Sequence, residues 1–242
     1  MALLVAHRGF RSTEGENRII DFQNALKICQ AVEFDIRLTK DNKVIIFHDD
    51  TFERIANNKS EVSSLLYEEI INLEFFKNNK EWIPPLFNDF IEKLSKNYQM
   101  INVEIKEEIN RKYTSNQLMV IFSEIKKLEK KSKAEIIVSS FNHQLLNEIV
   151  KRIKYPMKKG YLFENKNDFS ERYIKNFDYL HPSISVVLDF EMISKLKKLK
   201  KPLNIWTFKS DEEAVKINEI YGNQVAGYIS DNPKLLWKQK NK

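Results

Sequence analysis

Cysteine is nearly absent from this sequence, which has only Cys29 among its 242 residues. A single cysteine excludes an internal disulfide, so nothing in the chain requires an oxidising compartment. The fold must therefore be stabilised by a buried hydrophobic core. The hydrophobic share of 42% is that of a globular protein, and the length is sufficient for a large core.

Long apolar runs are also missing. No uninterrupted stretch reaches the roughly 20 residues that a transmembrane helix needs. The apolar start, residues 1–6, is too short for a signal peptide and runs directly into His7 and Arg8. We therefore expect a soluble, cytoplasmic protein without stable membrane insertion.

Glycine is scarce, with five in the whole chain, and no Gly/Ser-rich or Pro-rich linker, internal repeat or low-complexity block occurs. The sequence therefore predicts a single domain over residues 1–242. A doubly wound open sheet usually has a glycine-rich phosphate-binding turn after its first strand. Here the first predicted strand ends in His7-Arg8-Gly9 instead, so the open sheet is only the second choice.

What the chain does have is a regular alternation of short apolar runs and helix patterns. Eight predicted strands begin near residues 3, 32, 100, 135, 158, 178, 203 and 227, and each leads into a helix or a long loop. This alternation predicts parallel strands with helices outside them. Eight such units in about 250 residues is the size of a (β/α)8 TIM barrel.

Helix boundaries follow from apolar spacing and capping residues. A helix over residues 19–30 is predicted, with a buried stripe of Ile20, Ala25, Leu26 and Cys29. Asn88 is predicted to cap a helix that continues to residue 96, Asn142 a helix that continues to residue 154, and Ser210 or Asp211 a helix that continues to residue 221. Residues 50–85 read as a long connection with short helical pieces.

The net charge of +6 and the sequence pI of about 9.1 favour anionic partners in general. A basic stripe with interleaved aromatic residues, the pattern of nucleic-acid binding, does not occur. The charge does not choose between phosphates and anionic lipid surfaces, but without such a stripe we expect no nucleic acid as a partner. The sequence gives no indication of an oligomeric state.

Two carboxylates stand two residues apart in a predicted strand, at Glu33 and Asp35. Side chains at this spacing point to the same face of a strand. A turn and a second short strand then lead to His48 and Asp49. This layout suits a divalent cation held next to a proton-transfer group. The alternative is an exposed edge strand with a surface histidine, because charged residues are mostly exposed.

Polar residues also collect at one end of the predicted strands. In a (β/α)8 barrel the active site lies at the C-terminal ends of the strands. The residues that fall at or near these ends are His7, Glu33, Asp35, Glu104, Lys106, Ser139 and Trp206. This convergence favours an enzyme.

The sequence contains, in this order, His7-Arg8-Gly9, Glu16-Asn17, Glu33-x-Asp35, His48-Asp49, Glu104-x-Lys106 and Trp206-Thr207. As an ordered set these motifs resemble the signature of the glycerophosphodiester phosphodiesterase family, over nearly the whole chain. The family fold is a (β/α)8 barrel, which agrees with the strand count. Two motifs depart from the family pattern: Pro-Glu-Asn-Thr is Gly15-Glu16-Asn17-Arg18 here, and the closing Thr-Asp is Ser230-Asp231.

The resemblance implies metal-dependent hydrolysis of glycerophosphodiesters to glycerol 3-phosphate and an alcohol, in glycerophospholipid degradation, through a cyclic phosphate. It implies His7 as the base, His48 as the acid, phosphate binding by Arg8 and Lys106, and one Mg²⁺ or Ca²⁺ held by Glu33, Asp35 and Glu104. Three carboxylates are hard oxygen ligands, which suit these cations better than zinc. Trp206 is either a core aromatic or, as we favour, a platform against which glycerol packs.

Two other functions remain open. A related barrel phospholipase or lysophospholipase acting on lipid would need an exposed apolar loop at the rim. Phe75-Phe76 and Trp82-Ile83 are the only candidates, and we expect them to pack over the barrel. A catalytically silent barrel that only binds glycerophosphodiesters would be expected to lack a catalytic histidine or a metal-binding acid, and the sequence retains all of them.

Three further residues attract attention. Ser139 lacks the Gly-x-Ser-x-Gly setting of a serine hydrolase, so we expect it to be a wall residue or a neighbour of the phosphate. His143 is predicted to be a surface residue in the first turn of a helix. His181, before Pro182, is expected to have a structural role.

Overall fold

The computed structural model of the protein describes residues 2–107, 112–152 and 158–235. Its strands include all eight that the sequence predicts. In chain order the strands are β1 Leu3–His7, β2 Ala31–Leu38, β3 Val44–Ile46, β4 Thr51–Phe52, β5 Asn58–Glu61, β6 Met100–Ile105, β7 Glu135–Ser140, β8 Lys158–Phe163, β9 Tyr179–Pro182, β10 Leu203–Phe208 and β11 Val225–Ser230.

Eight parallel strands close into a barrel in the order β1-β2-β6-β7-β8-β9-β10-β11. Closure comes from β1, which pairs with β11 through Leu3↔Gly227 and with β2 through Ala6↔Val32. The prediction of a (β/α)8 TIM barrel is confirmed, and the open doubly wound sheet is excluded. The antiparallel strand β3 pairs with β2 to form the predicted hairpin.

Helices connect the barrel strands on the outside. They are α1 Ile19–Ala25, α2 Glu53–Ala56, α3 Tyr67–Ile71, α4 Glu74–Asn78, α5 Phe87–Lys93, α6 Ser115–Lys131, α7 His143–Arg152, α8 Glu171–Ile174, α9 Ile184–Val187, α10 Phe190–Leu199 and α11 Asp211–Tyr221. In the part of the chain that the structure describes, no helix combines the length and the apolar character that crossing a membrane requires.

Capping explains several of these helix starts. The Ser210 hydroxyl accepts a hydrogen bond from the Glu213 amide, and the Asn142 side-chain oxygen accepts one from the Leu145 amide, so both predicted caps are confirmed. The cap at Asn88 is wrong, because α5 has already begun at Phe87. The predicted end of α7 at residue 154 lies outside the described residues.

Helix α1 is shorter than predicted, and Ala25, Leu26 and Cys29 of the predicted stripe face the core whereas Ile20 does not. The helix ends at Ala25, and Ile20, which was expected to be buried, is 45% exposed. Phe22 is buried instead and makes ring contacts with Phe34 and Phe90. An aromatic ring buries more apolar area than an isoleucine, and this determines which side of the helix faces the core.

Residues 50–85 form a small unit beside the barrel mouth. Phe52, Val62 and Phe76 are fully buried in a cluster with Ile45 of β3, and Phe75 and Trp82 pack against it. The expectation that these aromatic residues pack rather than form an exposed lipid-binding loop is therefore met. Residues 50–85 lie between the barrel strands β3 and β6 in the chain. That residues 1–242 form a single domain stays a prediction.

The barrel interior changes character along its axis. One level is apolar and consists of Val5, Ala31, Met100, Ile137 and Ile229. Nearer the C-terminal ends of the strands, the inward positions are occupied by charged and polar side chains. A barrel of eight strands is filled by its own side chains, so a cavity forms only where these polar groups leave space.

Candidate active site

A cavity of about 170 Å³ opens at the C-terminal ends of the barrel strands. Of the eight predicted site residues, all except Asp35 line it: His7, Arg8, Glu33, His48, Glu104, Lys106 and Trp206. Asp35 is buried directly beside them and forms an ion pair with Arg8. The structure therefore brings the whole predicted set together in one place.

Three carboxylates form a cluster beneath the cavity mouth. Asp35 on β2 lies in register with Glu104 on β6, and Glu33 lies one inward position earlier on β2. Each offers an oxygen that lies within 4.8 Å of the others, and all three are at most 9% exposed. Exposure on an edge strand, the alternative reading of the sequence, is excluded because β2 is paired on both sides.

The cluster is under electrostatic strain that opposite charges only partly relieve. Burial, together with the neighbouring Asp35 and Glu104, raises the pKa of Glu33 well above its usual value. Burial acts in the same direction on Asp35, but Arg8, His48 and Lys106 outweigh it and hold the pKa of Asp35 well below its usual value. Moreover, Glu33 Oε2 accepts no hydrogen bond from the described residues.

Two positively charged side chains, Arg8 and Lys106, flank the carboxylates. Arg8, in the left-handed region at φ 50°, places Nε 3.2 Å from Asp35 Oδ2 and Nη1 3.2 Å from Glu16 Oε1. Lys106 Nζ lies 3.0 Å from Glu104 Oε1. Burial alone would lower the pKa of Lys106, but the carboxylates of Glu104 and Asp35 raise it overall. Both residues are therefore charged at neutral pH and line the cavity wall.

His48 stands at the end of the hairpin, and three groups hold it there. Its Nδ1 lies 2.6 Å from Asp49 Oδ1, and its Nε2 lies 3.3 Å from Lys106 Nζ. The buried guanidinium of Arg37 donates to the His48 carbonyl oxygen at 2.8 and 2.9 Å. The ring is thus oriented through Nδ1, and Nε2 is turned toward Lys106.

Arg54, from the unit formed by residues 50–85, connects the two sides of the cavity. Its Nε donates to Asp49 Oδ2 at 2.6 Å, and its Nη1 and Nη2 donate to the two oxygens of Glu16 at 2.9 and 2.7 Å. Asp49 in turn contacts His48, and Glu16 contacts Arg8. One guanidinium therefore orients the carboxylates behind both a histidine and an arginine of the cavity.

His7 lies at the end of β1 and is held in a similar way. Its Nδ1 is 2.5 Å from Oδ1 of Asp231, which directly follows β11, and its Nε2 is 3.8 Å from Glu33 Oε2. The closure of the barrel between β1 and β11 brings these two residues together. His7 and His48 thus each have an aspartate on Nδ1, and their Nε2 atoms face the acidic cluster or its lysine.

The sequence model of the glycerophosphoryl diester phosphodiesterase family matches residues 7–235. The chain belongs to this family. A glycerophosphodiester phosphodiesterase of Caldanaerobacter subterraneus subsp. tengcongensis is 29% identical over 248 residues, which cover 97% of this chain and 96% of that protein. An uncharacterised protein of Mycoplasma genitalium is 30% identical over 223 residues, 87% of this chain and 88% of that one.

Solved structures of the phosphodiesterase family share the fold. The glycerophosphodiester phosphodiesterase of Thermotoga maritima superposes with a TM-score of 0.78 at 24% identity, covering 99% of this chain and 98% of that one. A phosphodiesterase of Oleispira antarctica, solved in complex with the product sn-glycerol-3-phosphate, gives 0.81 at 19% identity, covering 100% and 98%. The predicted family resemblance is confirmed.

Trp206 lies near the C-terminal end of β10, which continues to Phe208. The indole lines the cavity, donates from Nε1 to the His181 carbonyl oxygen at 2.8 Å, and meets the ring of Phe141 edge-on at 6.0 Å. These two aromatic rings form the apolar wall of the cavity of this family member. Phe141 was not predicted as a wall residue.

Two minor expectations are wrong. His143 is not a solvated surface residue, because its Nε2 lies 2.7 Å from the Leu162 carbonyl oxygen and its ring stacks on Tyr161 at 3.7 Å. Ser139 is fully buried and is absent from the cavity lining, so it is not a wall residue. His181, for which a structural role was expected, is fully buried inside the barrel and lines the cavity.

Four residues behind the cavity lining were not predicted as site residues: Glu16, Asp49, Arg54 and Asp231. Glu16, Asp49 and Asp231 carried a signal, since all three occur in the quoted motifs and Asp231 directly follows β11. Arg54 carried no signal, because apolar spacing does not predict how residues 50–85 pack against the barrel.

Proposed function

We propose that the chain hydrolyses glycerophosphodiesters to glycerol 3-phosphate and an alcohol, with one divalent cation, Mg²⁺ or Ca²⁺. The single observation that carries the proposal is a buried cluster of three carboxylates at one cavity. The same cavity is lined by two aspartate-oriented histidines and by the positively charged side chains of Arg8 and Lys106. Family membership and the product named for the Oleispira antarctica structure support the choice of substrate.

The residues present fit a hard divalent cation. Glu33, Asp35 and Glu104 offer only carboxylate oxygens, and Glu33 Oε2 has no hydrogen-bond partner among the described residues. Burying three acids together without a cation is unfavourable, as the raised pKa of Glu33 indicates. When bound, the cation neutralises charge on the phosphate oxygens of the transition state.

The two histidines divide the proton transfers. With Nδ1 donating to Asp231, the neutral ring of His7 carries its lone pair on Nε2, which suits a base that takes the proton of the attacking hydroxyl. His48, oriented by Asp49, supplies the proton to the leaving alcohol. By the family resemblance, the attacking group is the neighbouring glycerol hydroxyl, which displaces the alcohol and gives a cyclic phosphate. Water then opens this ring to glycerol 3-phosphate, so the overall reaction is a hydrolysis.

The phosphate is held by charge. Arg8 offers a planar guanidinium and Lys106 a point charge, both on the cavity wall and both able to donate to non-bridging oxygens. The Trp206 indole then packs against the glycerol carbons. Since glycerophosphodiesters arise when both acyl chains are removed from glycerophospholipids, we place the reaction in glycerophospholipid degradation in the cytoplasm.

The alternative functions have weaker support. Phe75 and Trp82, the residues considered for a lipid-binding loop, pack against the hydrophobic cluster of residues 50–85. A barrel that only binds glycerophosphodiesters would not need aspartates that orient His7 and His48 for proton transfer.

Product analysis on purified protein tests the proposal. Glycerophosphocholine, glycerophosphoethanolamine and glycerophosphoglycerol are incubated with the enzyme, and each product is identified. We expect glycerol 3-phosphate and the free alcohol from all three, with kcat/KM values within about one order of magnitude, because the alcohol half projects toward solvent. Release of phosphocholine and glycerol, or cleavage of lysophospholipid alone, would contradict the proposal.

A further inference from the structure

His181 lies at the floor of the cavity, is not used by the proposed mechanism, and forms a buried polar pair with Asn204 behind it. His181 on β9 is fully buried and lines the cavity, and its Nε2 lies 3.0 Å from Nδ2 of Asn204 on β10. By contrast, Phe141 at the mouth is 44% exposed. The His181–Asn204 pair therefore lies at the closed end, on the side away from solvent.

Two of the five glycines of the chain make room for this pair. A Cβ on Gly160 of β8 would lie 2.5 Å from His181 Cε1, and a Cβ on Gly227 of β11 would lie 2.5 Å from Asn204 Oδ1. Real Cβ atoms do not approach so closely, so any other residue would displace the ring or the amide. The neighbouring strands are thus adapted to the two side chains.

Two buried polar atoms at the floor of the cavity have no hydrogen-bond partner in the described part of the chain. His181 Nδ1 and Asn102 Oδ1 have no hydrogen-bond partner among the described residues, although His181 is fully buried and Asn102 is 2% exposed. Both residues line the same cavity. A buried polar group without a partner destabilises the fold, and an apolar side chain would fill the same barrel position without that cost.

The floor is electrically neutral. Burial alone lowers the pKa of His181 to about 3, with no contribution from a neighbouring charge. With Nε2 accepting from Asn204 Nδ2, the proton of the neutral ring is on Nδ1. Among the described residues, the lining of the floor thus offers one unpaired donor, His181 Nδ1–H, and one unpaired acceptor, Asn102 Oδ1; Asn204 Oδ1 is also unpaired but does not line the cavity. An uncharged group that both accepts and donates, such as a hydroxyl, matches this pair.

We propose that His181 and Asn102 form a hydroxyl-recognition site that binds the glycerol hydroxyl remote from the phosphate ester. The inference rests on the proposed function, because it takes the phosphate to lie at Arg8, Lys106 and the acidic cluster. From there a three-carbon unit reaches the closed end of a cavity of about 170 Å³, with the Trp206 ring beside its carbons. His181 and Asn102 then determine specificity for glycerol over diols that lack this hydroxyl.

Two substrates test the site. One is glycerophosphocholine, and the other is the choline phosphodiester of propane-1,2-diol, which keeps the hydroxyl next to the ester carbon and lacks the remote one. We expect the wild type to prefer glycerophosphocholine by at least about tenfold in kcat/KM, since a site built to pair a hydroxyl rejects an analogue without it. His181→Leu should reduce this preference to less than about threefold, through loss of activity on glycerophosphocholine.

Controls separate recognition from folding. His143→Leu removes a half-buried histidine outside the cavity and should keep the wild-type preference. Asn102→Leu should reduce the preference as His181→Leu does, and it carries the test if His181→Leu fails to fold. An equal kcat/KM for the two substrates in the wild type, or an unchanged preference in the folded floor variants, would overturn the site and leave the proposed function standing. Cleavage of neither substrate by the wild type would overturn the proposed function instead.

Discussion

The two histidines assigned to proton transfer, His7 and His48, are each oriented by an aspartate from a different part of the chain. His48 is held by its sequence neighbour Asp49, whereas His7 is held by Asp231, 224 residues away. A carboxylate on Nδ1 fixes the tautomer and the ring orientation, and it stabilises the imidazolium that forms during proton transfer. Proton transfer therefore depends on two histidine–aspartate pairs, and removing either member of a pair should affect catalysis.

Replacing His7 or His48 with Ala should lower kcat by roughly 10²–10⁴-fold each, the usual effect of losing a positioned acid or base. Folding should change little, because both rings are at the cavity. The double variant should lose less than the product of the two effects, since both act on one reaction. Steady-state kinetics on glycerophosphocholine with a thermal melt for each variant provides the measurement. Near-native turnover in a single variant would remove that residue from the mechanism.

Arg54 should act as a positioning residue, since it contacts Asp49 and Glu16 but does not line the cavity. Arg54→Ala should lower kcat about tenfold or more, because the carboxylates behind His48 and Arg8 lose their shared partner. Arg54→Lys should not restore kcat, since a lysine cannot donate to both carboxylates in a planar fork.

Lys59→Ala is the matched control for Arg54, because Lys59 lies in the same unit, is largely in solvent, and among the described residues pairs only with Glu53, at 3.8 Å. It should leave kcat unchanged. Measurement of kcat and KM for the three variants decides the matter. Full activity in Arg54→Ala would show that Asp49 and Glu16 hold their positions without it.

At the scale of elements, the sequence predicted what local patterns determine. The apolar runs gave all eight barrel strands because parallel strands are buried on both faces, and Asn142 and Ser210 marked helix starts because their side chains satisfy free amides. Ile20 was misplaced because two apolar faces compete on α1, and only tertiary packing against Phe34 selects the one with Phe22.

The stability effects of substitutions at Gly160 on β8 and His181 on β9 should be coupled, because the His181 ring occupies the space beside Gly160. Gly160→Ala places a methyl group 2.5 Å from the His181 ring, so it should destabilise the fold by about 1–3 kcal/mol, as overpacking of a core does. In a His181→Ala background the ring is gone, and Gly160→Ala should then cost little. Urea unfolding of the four proteins in this cycle measures the difference. Equal costs in both backgrounds would show that the ring does not occupy this space.

At the scale of the whole molecule, barrel closure assembles a site whose members are far apart in sequence. Residues at the ends of β1, β2 and β6 were predicted to meet because the rim of a (β/α)8 barrel collects strand ends. What could not be predicted is which groups stand behind them. Asp231 reaches His7 only because β11 pairs with β1, and Arg54 reaches Glu16 only because residues 50–85 pack beside the mouth.

The central claim is that a divalent cation at Glu33, Asp35 and Glu104 is required for the hydrolysis. The most direct measurement is the rate of glycerol 3-phosphate formation from glycerophosphocholine by enzyme that has been stripped with a chelator, dialysed, and assayed with and without added Mg²⁺ or Ca²⁺. We expect the stripped enzyme to be inactive, with activity restored by at least one of these hard cations. Undiminished formation of glycerol 3-phosphate by the stripped enzyme would contradict the account.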